Sequence, residues 1–161
     1  MKWDKRKLHS LLLETLKAEL AAILNAAEMA KEGSNHEDAV AKSKYDTHGL
    51  ELSYLAGSQF ERARTAEAKI AVLENSFFTD YSEDDEINIG ALVRLEGPAQ
   101  KARFYLISDI GAGLDLEFQG EKVFVISPES PLGETLMGHY EGENVESKER
   151  QLKAFTIASV N

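Results

Sequence analysis

The chain has 161 residues, 43% of them hydrophobic, and a formal net charge of −10, a balance that supplies one or two small cores and excludes wholesale disorder. It contains no cysteine, which excludes a disulfide framework and a thiolate zinc site and fits a reducing compartment. No segment approaches the ~20 consecutive apolar residues of a membrane span, and the basic residues 1–7 lead into Leu11-Leu12-Leu13-Glu14 rather than a secretory core, so a cytoplasmic location is expected.

Residues 5–31 hold neither Gly nor Pro and are rich in Leu, Ala, Glu and Lys, the strong helix formers. Within them Leu13, Leu16, Leu20, Ile23, Ala27 and Ala30 recur at spacings of 3, 4, 3, 4 and 3, the a/d seam of a heptad helix. Gly33-Ser34-Asn35 reads as the helix stop. A second seam follows between residues 50 and 75, through Ala56, Gln59, Ala63, Ala66, Ile70 and Leu73. Two such helices, each roughly 40 Å long, bury their seams most simply on one another, as an antiparallel hairpin over residues 1–79. The intervening tip carries Asp46, which can cap the second helix. Alternatively, Asp46 and Glu51 can lend carboxylates to a divalent cation that a partner completes.

Residues 80–86 are an acidic run, read as a linker. Charge divides there: residues 1–79 hold 11 Lys+Arg against 12 Asp+Glu, and residues 80–161 hold 7 against 16. Such a C-terminal half repels phosphate backbones, so a protein partner is expected and direct nucleic-acid binding is not. From Ile87 the period changes to 2, with Ile87, Ile89, Ala91, Val93 and Leu95 alternating as a strand that Gly97-Pro98 ends. Residues 103–107, 122–126 and 154–160 are further strands. Asp109-Ile110-Gly111-Ala112-Gly113 lacks the spacing and the Lys-Ser/Thr ending of a phosphate loop and reads as a turn. Ser130-Pro131 is an N-cap followed by proline at the first helical position. Leu132, Leu136 and Met137 give that short helix an apolar face, and Gly138 its C-cap. One short helix on a sheet of four or five strands follows.

The run Val125-Ile126-Ser127-Pro128-Glu129-Ser130-Pro131-Leu132-Gly133, then Leu136-Met137-Gly138, then Glu141-Gly142-Glu143-Asn144-Val145 resembles the C-terminal domain of bacterial GreA/GreB transcription elongation factors. That pattern is a strand ending in Ser-Pro-x-Ser-Pro, then Leu or Ile-Gly, Leu-x-Gly and Gly-Asp-x-Val; here Glu143 takes the Asp position. The resemblance covers residues 87–160 and extends to the N-terminal half by architecture and by Tyr54. It implies an α+β fold: a coiled-coil hairpin, then an FKBP-like antiparallel β domain (residues 87–161) with one short helix. It also implies an accessory factor rather than an enzyme, docked on RNA polymerase with its coiled coil in the secondary channel.

In cleavage-stimulating members, tip acids help hold a magnesium ion that belongs to the polymerase. Asp46 and Glu51 are the candidates for those acids, and the ion is shared rather than resident. The candidate polymerase contacts are Ser130, Pro131, Leu132, Gly133 and Met137. The chain departs from the family's Gly-Asp-Leu-x-Glu-Asn-x-Glu-Tyr tip, having Asp46 and Glu51 at a longer spacing. The alternatives are a non-cleaving secondary-channel regulator or inhibitor and a nucleoside diphosphate kinase regulator-like interaction protein. Prolyl isomerase activity would need an aromatic pocket, and Phe104, Tyr105, Phe118, Phe124, Tyr140 and Phe155 fall largely on strand-core positions.

Overall fold

The computed structural model describes residues 3–35, 47–97, 102–146 and 154–161; Asp46 and Pro98 lie outside them. The elements in chain order are α1 (Lys5–Asn35), α2 (His48–Glu74), β1 (Leu92–Glu96), β2 (Ala102–Ile107), β3 (Asp115–Phe118), β4 (Glu121–Ile126), α3 (Pro131–Leu136), β5 (Asn144–Val145) and β6 (Phe155–Val160). The chain is α+β, helices first and a six-stranded sheet after them. It divides into two compact units, Leu13–Asn75 and the combination of Met1–Leu12 with Ser76–Asn161.

In the helical unit, α2 buries Ala56, Ala63, Ile70 and Leu73 and α1 buries Ala27 and Ala30, all of them seam positions. The seam is rich in alanine, which lets helix backbones approach closely. Lys17 Nζ lies 2.6 Å from Glu74 Oε1, and Gly33 packs on Leu52, whose Cδ1 would sit 3.3 Å from an added Cβ. Pairing of early α1 with late α2, and of late α1 with early α2, makes the two helices antiparallel. α1 runs through Gly33 and Ser34 to Asn35, the last residue of the expected stop. A helical glycine costs only about 1 kcal/mol relative to alanine, Gly33 fits the close approach of Leu52, and Ser34 Oγ donates back to Lys31 O at 2.7 Å.

The sheet runs in the order β3-β4-β2-β1-β6-β5. It is mixed rather than purely antiparallel, because β2 and β4 pair in parallel, Phe104 against Val123 through Ile107 against Ile126. The tight turn Gln119-Gly120, both at positive φ, folds β3 back along β4, and β4 lies between β3 and β2. Only Leu92–Glu96 of the expected 87–95 strand is extended. Before it, Gly90 sits at φ 90°, the Asn88 side chain accepts from Ile89 N and Ala91 N donates to Asn88 O at 3.0 Å, so residues 88–91 make a turn, while Ile87 bonds Gly138 and His139 through its main chain.

One sheet face, carrying Val93, Leu95, Tyr105, Ile107 and Ile157, forms a core with Leu132 and Leu136 of α3. On the other, Phe104, Leu106, Leu92 and Val123 are also buried, and Trp3 stacks there, 4.8 Å from the Phe104 ring and 5.8 Å from Phe118. Apolar contact on both faces explains why residues 104–107 form an unbroken apolar run. Trp3, Leu8 and Leu12 are buried, and Leu12 reaches Gly111. The first turns of α1 therefore belong to the sheet unit rather than wholly to the hairpin. The run 80–86 belongs there too: Tyr81 packs on the core and its hydroxyl donates to Ile89 O at 2.9 Å.

Lys5 is the exception in this apolar setting, only 3% exposed. Its ammonium donates to the main-chain oxygens of Thr79, Gly90 (2.5 Å) and Asn161 (2.7 Å) and lies 4.7 Å from the centre of the Tyr81 ring. Burial pushes its pKa down to about 8, against the opposing charge of Asp80.

Candidate functional site

The segment after β4 is built by local chemistry. Ser130, extended at φ −66° and ψ 153°, accepts from Gly133 N at 3.0 Å through Oγ, and Pro131 occupies the first helical turn. The same hydroxyl donates to Ser127 O at 2.7 Å, so one serine closes both the loop and the helix start. A Cβ on Gly133 would lie 2.1 Å from Ser127 O and 2.9 Å from Pro128 O, so the motif requires glycine there. Gly138 follows the helix at φ 77°, the left-handed position that ends helices.

Of the five residues expected to meet a partner here, Leu132 (8% exposed) and Gly133 are buried, Ser130 and Met137 are half-buried, and Pro131 is exposed. The apolar docking patch expected of Leu132 and Met137 does not form, since Leu132 joins the core and Met137 packs on it. Six residues make fewer than two helical turns, and their apolar stripe is consumed by the sheet. What this segment offers outward is Glu129 before the cap and Pro131 and Glu134 of the helix, all exposed.

At the other expected site, Thr47 holds the N-cap position of α2 and Glu51 lies in its first turn. Thr47 Oγ1 donates to Glu51 Oε1 at 3.1 Å, and the Glu51 main-chain N–H bonds Thr47 O at 2.9 Å. A carboxylate there complements the positive end of the helix dipole. Glu51 is the only acid in that turn, and it is exposed beside Leu50, Tyr54 (71% exposed) and Leu55. Among the described residues no group of three His, Cys, Asp or Glu side chains could hold a metal ion. Glu51 can present one oxygen ligand outward.

Sequence reasoning passed over Lys5, His9, Phe77 and Phe78. The signals were a lone Trp3 with Lys5 ahead of the heptad seam, and two adjacent phenylalanines just after the last seam residue. His9 packs near both rings, 5.9 Å from Phe77 and 5.1 Å from Phe78, the latter edge-on. Among the described residues no helix is long and apolar enough to cross a membrane.

No protein-family model matches the chain, and no curated protein matches it. Solved structures similar to it include the GreA factor homolog 1 (Gfh1) protein of Thermus thermophilus, at 23% identity over 92% of this chain and 94% of that one, with a TM-score of 0.38. Gfh1 of Thermus aquaticus is 21% identical over 93% and 91% of the two chains, with a TM-score of 0.40. The prokaryotic transcription elongation factor GreA/GreB from Nitrosomonas europaea is 19% identical over 70% and 92%, with a TM-score of 0.36. The chain is thus similar to Gre-type transcription factors and their homologs, the group that the residue 125–145 motif resembles.

Proposed function

We propose that this chain is a transcription factor of the Gre type, an accessory protein that docks on RNA polymerase and acts with its helical hairpin at the polymerase's secondary channel. The observation that carries the reading is the motif at residues 127–138. Ser130 caps, Gly133 admits no side chain and Gly138 turns left-handed, so each motif residue has a physical reason for its place. The hairpin supports the same reading, because α2 alone has 27 residues and so spans roughly 40 Å, enough reach for a probe. The test is binding of the full chain to core RNA polymerase by fluorescence anisotropy. Saturable binding is expected; no binding at micromolar concentrations overturns the proposal.

Non-cleaving regulation is a second reading, favoured by Glu51, the one acid in the first turn of α2, being tied to Thr47 and surrounded by exposed Leu50, Tyr54 and Leu55. Stalled elongation complexes separate it from transcript cleavage. On the non-cleaving reading, the unaltered chain binds and leaves the intrinsic cleavage rate unchanged. On the cleavage reading, the chain accelerates cleavage, and Glu51→Gln and Asp46→Asn abolish the acceleration while binding persists.

A further inference from the structure

We draw no further inference here: the strongest candidate, the open cleft of the sheet unit beside the exposed Phe77 ring, sets Asp4 and Asp80 against Lys5 and Arg6 on its own lining, and nothing in the structure shows what covers it.

Discussion

Replacing Lys5 by methionine sets two opposing effects against each other. The substitution keeps most of the side-chain volume and removes the ammonium that bonds Thr79 O, Gly90 O and Asn161 O. Asn161 O keeps a donor in Leu92 N at 2.9 Å, so two acceptors are orphaned, at about 1–3 kcal/mol each and roughly 4 kcal/mol together. Against this, methionine escapes the desolvation that lowers the lysine pKa from 10.5 to about 8. Full conversion of that fall gives roughly 3 kcal/mol, and screening by solvent and by Asp80 brings it to about 2 kcal/mol. At pH 7 the orphaned carbonyls win, and Lys5→Met is expected to be about 2 kcal/mol less stable.

The balance moves with pH. Between about 8 and 10.5 the unfolded chain still holds the Lys5 proton that the folded chain has released, so the stability of the unaltered protein rises with pH across that window. Methionine has no such gain, and the deficit grows to about 4 kcal/mol at pH 10. Urea unfolding followed by Trp3 fluorescence reads this directly, because Trp3 is the chain's sole tryptophan and is buried against Phe104 in the same unit. A variant as stable as the parent at pH 7, or a deficit that stays flat or narrows from pH 7 to 10, refutes the reasoning.

Gly133→Ala places a Cβ 2.1 Å from Ser127 O and is expected to destabilise the sheet unit by about 3 kcal/mol, read from the same urea transitions. Ala63→Leu overfills a seam position only 2% exposed; a loss of about 1–3 kcal/mol is expected from thermal melting followed by helical circular dichroism. The Glu143 carboxyl accepts from Tyr140 N at 3.0 Å and sits 2.6 Å from His139 Nδ1, and these hold its pKa below the ordinary value, the Tyr140 N–H contributing most. An NMR titration should therefore show a midpoint below 4.5 that rises only partway in His139→Ala. The stability this carboxylate confers is present at neutral pH and is lost as pH falls through that midpoint.

The sequence by itself determined the features that arise within a few residues. Ala27 and Ala30 of α1 and Ala56, Ala63, Ile70 and Leu73 of α2 are buried where the heptad spacing places them, because helix geometry puts every third or fourth side chain on one face. Ser130, Pro131 and Gly138 mark the start and end of α3 for equally local reasons of capping and backbone freedom. Of the candidate site residues, Glu51 is exposed in the first turn of α2, whereas Leu132 is spent on the core. Tertiary structure alone decided that Leu132 faces inward, since an apolar side chain reads the same whether it meets a partner or its own sheet. It also decided that β4 runs parallel to β2, because alternation records which face a residue takes and not the direction of its strand. Lys5 makes the point most sharply. Its acceptors lie 74, 85 and 156 residues away, a separation no local pattern encodes, and a lysine among other basic residues reads as solvated until the fold brings three carbonyl oxygens to one point.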